Sequence, residues 1–271
     1  MDYRDSVDLS DSRTQRASGG GGGGRMALGG GVGGLVLMLL VVFVGPRFGI
    51  NVSDLLGSSS GQDTQPVVQG SDLDHCKQKD VNVNTNRECR WLLYEKVLQS
   101  YWSKTATNYK YATVKLFSGT INTACGVGQT EMGPFYCSGD STVYIDDSYV
   151  GQLLKQLGAS GGDAAELYIV AHEFGHHIQN LDGTMRKVTR GTGADSAQVR
   201  LELQADCYAG VVFNQVMKDS NSPIKAVSKD DLLRIADAAR SVGDDHIQKQ
   251  QGGFVNPESW THGSSEQRQR W

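Results

Sequence analysis

The chain has 271 residues, of which 34 are glycine, and a formal net charge of −4. This length is enough for one or two domains. The weakly acidic balance excludes the basic surface that nucleic-acid binding needs, so we expect no nucleic-acid partner.

The first part of the chain divides into three segments by composition. Residues 1–25 are polar, balanced between Asp and Arg, and end in a glycine run, which predicts disorder. Residues 26–44, MALGGGVGGLVLMLLVVFV, carry no charge over nearly the length of a bilayer core, and they predict one transmembrane helix. Residues 45–74 are rich in Gly, Ser, Gln and Asp, and they predict a flexible linker.

The distribution of positive charge predicts how the apolar segment is oriented. Three arginines lie shortly before it, whereas only Arg47 follows before Lys77. Positive charge favours the cytoplasmic side, so we expect a signal anchor with the N-terminus in the cytoplasm and residues 75–271 in the periplasm or outside the cell. A cleaved signal peptide fits less well, because no small-residue cleavage motif follows Val44.

The five cysteines all follow the apolar segment, as expected for an exported domain. Cys125 and Cys137 flank a short loop containing Gly and Pro, and we expect a disulfide between them. Cys76 with Cys89 is a plausible second pair, which would leave Cys207 as a buried free thiol. The odd number leaves the pairing open. The chain has no CxxC spacing, which excludes a zinc finger.

Residues 75–271 predict an α+β domain with more helix than strand. A capping-box pattern from Thr85 to Glu88 predicts a helix in TNRECRWLLYEKVLQSYW, with an aromatic stripe that packs in the core. Alternation predicts strands in KYATVKLFSG and TVYIDD. Further helices are predicted from Asp163 to about Asn180, over roughly 196–218, and from Ser228 onward. The closing segment is expected to be mostly irregular, with a short final helix.

Three of the six histidines fall in AELYIVAHEFGHHIQN, residues 165–180. His172 and His176 are four residues apart, so they share one helix face and can bind one tetrahedral ion. Glu173 can then hydrogen-bond a metal-bound water as a general base. This HExxH pattern is typical of zinc metallopeptidases. His177 points about 100° away, and we expect it at the surface or next to a ligand.

A zinc peptidase needs a third protein ligand. In VRLELQADCYAG, Glu202 and Asp206 are four residues apart on the next long helix. We expect Glu202 to complete a His, His, Glu site, and Asp206 to accept the free imidazole N–H of a ligand histidine. A solvated acidic edge is the alternative for these two carboxylates. The other candidates for the third ligand are Asp206, His177, Cys207, His246 and His262.

AHEFGHHIQN followed by RLELQADCYAG resembles the neutral zinc metallopeptidases of bacteria, a family with an N-terminal membrane anchor. The segments TACGVGQTEMGPFYC, VYIDDSYV and THGSSEQRQRW match as well. The resemblance implies that His172, His176 and Glu202 bind zinc and that Glu173 is catalytic. It also implies a zincin-like fold, in which an edge strand lies above the HExxH helix. The candidate for that strand is STVYID, residues 141–146.

We therefore expect a membrane-anchored zinc metallopeptidase that acts on a peptide or protein substrate, with Glu173 as general base for a metal-activated water. The substrate would pair with the strand at 141–146. A further oxyanion donor is expected. His246, His262 and the tyrosines are its candidates, and His262 is favoured for its Gly-containing loop.

Two other functions fit parts of the same pattern. One is a deformylase-like hydrolase in which Cys137 replaces the carboxylate ligand, although oxidation with Cys125 would prevent this. The other is a non-catalytic scaffold, in which the metal only holds two helices together while the tethered domain binds an envelope protein. The intact Glu173 argues against the scaffold, because a purely structural site does not need that base.

Overall fold

The computed structural model describes residues 1–17, 73–189 and 191–271. These ranges contain eight α-helices and eight short strands, so the fold is α+β, as predicted. The predicted transmembrane helix at 26–44 lies outside the described residues, as does nearly all of the predicted linker at 45–74. In the described ranges, no helix combines the length and the apolar character that a bilayer crossing requires.

Three long helices provide about half of the buried apolar core. They are α1 (Arg87–Thr105), α3 (Asp163–Leu181) and α5 (Ala197–Lys218). The shorter helices are α2 (Val150–Gln156), α4 (Thr184–Lys187), α6 (Lys229–Ser241), α7 (Asp244–Gly252) and α8 (Ser265–Arg270). Helix α4 lies in the polar connection between two predicted helices, and α7 lies just before the closing segment, where no element was predicted.

The helix starts follow local capping chemistry. The Ser196 side chain accepts a hydrogen bond from the backbone N–H of Val199 and begins α5, close to the predicted start. Ser228 forms the predicted capping box with Asp231 at the start of α6. Helix α1 is capped by Asn86, one residue after the predicted Thr85.

A four-stranded sheet packs beside these helices in the order β2-β3-β7-β6. Its strands are β2 (Thr14–Arg16), β3 (Thr113–Leu116), β6 (Phe135–Cys137) and β7 (Thr142–Ile145). The three strands β2, β3 and β7 run parallel, and β6 is antiparallel to β7. The remaining strands form two small antiparallel pairs: β4 (Thr120–Thr123) with β5 (Gly126–Gln129), and β1 (Asp2–Tyr3) with β8 (Ile224–Ala226).

Residues 1–17, here called the N-terminal arm, are part of this fold. The prediction of disorder at 1–25 is therefore wrong for these residues. Tyr3 and Leu9 are 2% and 1% exposed, and β2 pairs with β3 through Thr14 opposite Val114. The composition predicted disorder because polar and charged side chains outnumber the apolar side chains of the arm. The surfaces that bury them come from elements more than 60 residues away in the chain.

Polar contacts fasten the arm as well. The Arg16 guanidinium donates both Nη groups to the carboxylate of Asp147, each at 3.0 Å. The Ser12 hydroxyl donates to the buried carboxylate of Glu95 at 2.8 Å. The folded unit therefore includes the arm in addition to the predicted 75–271.

Both expected disulfides are formed, Cys125 with Cys137 and Cys76 with Cys89. Cys207 is a free thiol, as expected, but it is half-buried where full burial was predicted. Because Cys137 is bonded to Cys125, its sulfur is not available to a metal, which contradicts the deformylase-like hypothesis.

Candidate metal centre

Helix α3 carries the HExxH residues into the interior of the protein. The preceding turns are apolar and pack in the core, with Leu167 fully buried and Val170 nearly so. His172, Glu173 and His176 follow on this helix, and each is 8% exposed. The buried apolar turns thus fix the direction in which the polar residues point.

Close contact between α3 and α5 brings the second half of the site within reach. A Cβ added at Gly175 would lie only 2.8 Å from the Cα of Ala205 and 3.0 Å from its carbonyl oxygen. A larger residue at 175 would therefore force the two helix backbones apart. Glu202 lies one turn before Ala205, and this close approach places it facing the histidines.

The structure brings His172, His176 and Glu202 together. One donor atom from each lies within 4.8 Å of the others. The Oε2 atom of Glu202 is 3.2 Å from Nε2 of His172 and 3.3 Å from Nε2 of His176. Yet within the described residues this buried oxygen has no hydrogen-bond partner, because neither imidazole is aligned to donate to it. The three atoms therefore surround a common point instead of bonding to one another.

The opposite nitrogen of each imidazole faces an oxygen acceptor. Nδ1 of His172 is 2.7 Å from Oδ1 of Asp206, and Nδ1 of His176 is 2.9 Å from Oε1 of Gln179. The amide orientation of Gln179 is fixed, because its Nε2 donates to the Leu201 carbonyl and to Gln204. Each Nδ1 therefore carries the proton in the neutral imidazole, and in that form each Nε2 directs a lone pair toward the common point.

Asp206 lies behind His172, as predicted, and a buried arginine supports it. Arg268 of α8 donates from Nε to Oδ2 of Asp206 and from Nη2 to Oδ1, both at 2.8 Å. The Tyr168 hydroxyl donates to Oδ1 at 2.6 Å. With the contact from His172, both oxygens of the Asp206 carboxylate are engaged and its position is fixed.

The carboxylates make this region favourable for positive charge. Burial lowers the pKa of His172, but the neighbouring Asp206 and Glu202 prevail and raise it to about 10. Burial would raise the pKa of Glu202, yet the two histidines hold it well below its usual range. Burial raises the pKa of Glu173, and the nearby His176 and His172 offset this only in part. A cation at the common point would gain from the same charges.

A cleft lies beside the metal centre, lined by residues of α3 and α5 and by His262, which Asp244 holds in place. One oxygen of Asp244 accepts the backbone N–H groups of Thr261, His262 and Gly263, at 2.7 to 3.0 Å. The other oxygen lies 3.3 Å from Nδ1 of His262. Residue 244 thus orients the loop and the imidazole together, and the His262 ring lines the cleft next to the metal centre.

Several residues considered from the sequence lie elsewhere. His177 is fully buried, which contradicts the prediction of a surface position, and it contacts the Tyr136 hydroxyl and the carbonyl of Lys110. The imidazole of His246 contacts the carbonyl of Leu157 and Gln250, away from the metal centre. Neither histidine therefore lies at the metal centre, and Glu202 is the residue that the structure places with His172 and His176.

The edge strand beside the cleft is β6, so the prediction of an edge strand at 141–146 is wrong. Strand β7, which occupies that segment, is paired on both sides by β3 and β6. Residues 133–136, which lead into and form β6, line the cleft. Alternating hydrophobicity in TVYIDD predicted a strand correctly, but it carries no information on which strand is outermost.

Comparison with known proteins agrees with this geometry. A family model described as "Putative neutral zinc metallopeptidase" matches residues 1–271. The chain belongs to this family. The chain is 40% identical over 229 residues to the uncharacterized protein Rv2575 of Mycobacterium tuberculosis strain H37Rv, covering 82% of this chain and 78% of that protein. It is 36% identical over 242 residues to the uncharacterized protein YpfJ of Escherichia coli K12, covering 86% and 79%. No solved structure matches the chain.

Sequence reasoning on this member of the metallopeptidase family missed three supporting residues: Gln179 behind His176, Arg268 behind Asp206, and Asp244 behind His262. Gln179 is three residues after His176 on the same helix, so helical spacing could have indicated it. Arg268 and Asp244 are far from their partners in the chain, and no local pattern marks them.

Proposed function

We propose that this protein is a zinc-dependent peptidase that hydrolyses peptide bonds, with zinc held by His172, His176 and Glu202. One observation carries the proposal. Two imidazole Nε2 atoms and one carboxylate oxygen converge on a buried point; the imidazoles form their hydrogen bonds at the opposite nitrogen, Nδ1, and the carboxylate oxygen has no hydrogen-bond partner among the described residues.

The spacing of these atoms suits the ion. Ligands at the zinc distances of about 2.0–2.2 Å, at tetrahedral corners, are separated from one another by roughly 3.3 Å. The Oε2 atom of Glu202 lies 3.2 and 3.3 Å from the two Nε2 atoms. Two imidazoles and one carboxylate are also a donor set that leaves the fourth position of a catalytic zinc site open.

The mechanism assigns Glu173 as the general base. When bound, zinc would supply an activated water and polarise the scissile carbonyl. Glu173 lines the cleft beside both histidines, and among the described residues no hydrogen bond engages its carboxylate. It is therefore free to accept the proton of the attacking water and to deliver it to the leaving amine. Burial lowers the pKa of His262, but Asp244 and Glu202 prevail and raise it. In its protonated form His262 can therefore donate a hydrogen bond from Nε2 to the carbonyl oxygen as negative charge develops on it.

Strand β6 supports binding of an extended substrate. Among the residues that the structure describes it is the outer strand of its sheet at the cleft, so the backbone groups on its open side can pair with a peptide by strand addition. Pairing there would place the peptide backbone alongside α3. The sequence predicted that the peptide would pair with the strand at 141–146, which is β7; here the peptide pairs with β6 instead.

A non-catalytic scaffold is the second candidate, and the cleft disfavours it. A metal that only joins α3 and α5 would need neither an uncommitted Glu173 nor an imidazole held by Asp244 over the same space. Structural zinc sites are usually closed by four protein ligands, whereas the described residues provide three here.

Metal removal tests the proposed function. We expect chelation to abolish hydrolysis of a mixed peptide library, and one equivalent of zinc to restore it. Elemental analysis of the purified protein measures the stoichiometry, and reconstitution with other divalent ions identifies the preferred metal. Hydrolysis that persists in metal-free protein would overturn the proposal, as would protein that holds no stoichiometric transition metal.

We also propose that the uncharged residues 26–44 attach the protein to a membrane and that the domain lies outside the cytoplasm. The two disulfides support an oxidising compartment. The N-terminal arm packs on the domain, so in this arrangement both lie on the same side of the membrane. The proposal thus departs from the cytoplasmic N-terminus that the arginine distribution favours, and also from a single membrane crossing by residues 26–44.

Thiol labelling tests this location. We expect a membrane-impermeant maleimide to label both Ser10→Cys in the arm and Lys104→Cys on α1 in cells with an intact inner membrane, each in a Cys207→Ser background. Both positions are exposed. Labelling at 104 alone would place the arm in the cytoplasm. Labelling of neither position before lysis would refute export of the domain.

A further inference from the structure

The walls of the cleft differ sharply in character from its metal centre. The charged and histidine side chains among the described lining residues are His172, Glu173, His176, Glu202, His262 and Arg268. All six belong to the metal centre or lie in contact with it. The rest of the lining is uncharged, and most of it is aliphatic, aromatic or methionine.

Apolar side chains surround the metal centre from several elements. Ile169 lies one turn before Glu173 on α3, so both project from the same helix face. Pro134 and Phe135 come from the β6 side, Leu157 follows α2, and Ile247 comes from α7. A substrate side chain next to the scissile bond would therefore meet apolar surface in nearly every direction.

The one arginine of the lining is not available to a ligand. Arg268 is 5% exposed, and its Nε and Nη2 donate to Asp206 while its Nη1 donates to the Val242 carbonyl. Withdrawing it to meet a substrate carboxylate would leave Asp206 buried without its partner. Away from the metal centre, a charged substrate side chain in this cleft would thus lose its hydration without gaining a counter-charge from the described lining residues.

From this lining we propose that the enzyme selects peptides with a large apolar residue next to the scissile bond and rejects those with a charged residue there. The proposal rests on the proposed function and adds its substrate class: extended chain segments rich in Leu, Ile, Phe or Met. Such segments are buried in folded proteins, so the substrates are unfolded chains or flexible apolar peptides.

Matched peptides test the proposal. A quenched-fluorescent series shares one sequence and differs only in the residues flanking the scissile bond, which are Leu, Phe, Asp or Lys. With the zinc-loaded full chain we expect kcat/KM for the Leu and Phe peptides to exceed that for Asp and Lys by about 10–200-fold, the range typical of an apolar pocket. Equal cleavage of charged and apolar peptides would overturn the proposal.

Substitutions in the apolar wall of the cleft provide a second test. Ile169→Arg or Ile247→Arg adds a counter-charge at a partly exposed position, and either is expected to raise cleavage of the Asp peptide relative to the Leu peptide. Leu233→Arg is the matched control, because Leu233 is 59% exposed on α6 and lies outside the cleft lining. This control variant should cleave the Asp and Leu peptides in the same ratio as the wild type. If both wall variants fold but cleave the Asp and Leu peptides in the wild-type ratio, Ile169 and Ile247 do not contact the substrate side chain and the proposal fails.

Binding separates this proposal from the proposed function. Fluorescence anisotropy of the same peptides on the Glu173→Gln variant reports selectivity without bond cleavage. If wild type cleaves nothing but binding still favours Leu and Phe, the peptidase function fails and the selectivity stands. If peptides are cleaved or bound without regard to these side chains, the selectivity fails.

Discussion

Glu173→Gln is expected to lower kcat/KM for peptide hydrolysis by about 10²–10⁴-fold while leaving one zinc bound. The amide has nearly the shape of the carboxylate but cannot accept the proton of the attacking water. The metal should remain, because His172, His176 and Glu202 keep their positions and their partners. Steady-state kinetics with elemental analysis on the same sample measures both quantities.

The control for this substitution lies on the same helix. Glu166 is also buried, but it pairs with Arg87 at the far end of α3 and does not line the cleft. Glu166→Gln should therefore lower the melting temperature without a comparable loss of hydrolysis. Equal hydrolysis by wild type and Glu173→Gln, with zinc present in both, would exclude Glu173 as the base.

The second large effect is expected at Arg268, which sequence reasoning did not identify. Arg268→Leu leaves the Asp206 carboxylate buried without its main counter-charge, which typically costs about 3–5 kcal/mol in the free energy of unfolding. Zinc affinity should also fall, by about 10–100-fold, because Asp206 no longer holds His172 in place. Urea denaturation measures the first quantity, and competition with a chromogenic chelator measures the second.

Two further variants make the Arg268 result specific. Arg270→Leu removes an exposed arginine from the same short helix and should change neither quantity appreciably. Arg268→Lys keeps the charge but not the paired donors, so it should recover only part of the loss. A zinc affinity that is unchanged in folded Arg268→Leu would show that α8 does not support the metal centre.

The central part of the candidate site could be predicted from sequence because its geometry is local. His172 and His176 share a face through helical periodicity alone, and Glu202 and Asp206 do so on the next long helix. The apolar turns before His172 are a local signal for a buried helix face, and Gly175 is a local signal for the close helix contact that the structure shows. The remaining unknown was whether the two faces meet.

The supporting residues could not be predicted, because their partners are distant in the chain. Arg268 is 62 residues from Asp206, and a short polar helix near the C-terminus looks the same from sequence whether it is buried or exposed. The order of strands is also non-local. Alternation marked the segment of β7 as a strand, but pairing by β3 and β6 decides that it is internal.

The N-terminal arm changes how a shortened version of this protein should behave. A recombinant fragment that begins after residue 72 would lack β2, leaving one side of β3 without its backbone partner. The sites that hold Tyr3 and Leu9 would lie open to water at the same time. Such a fragment is prone to self-association through the exposed edge of β3. A synthetic peptide of residues 1–17 should bind at that edge and keep the fragment soluble.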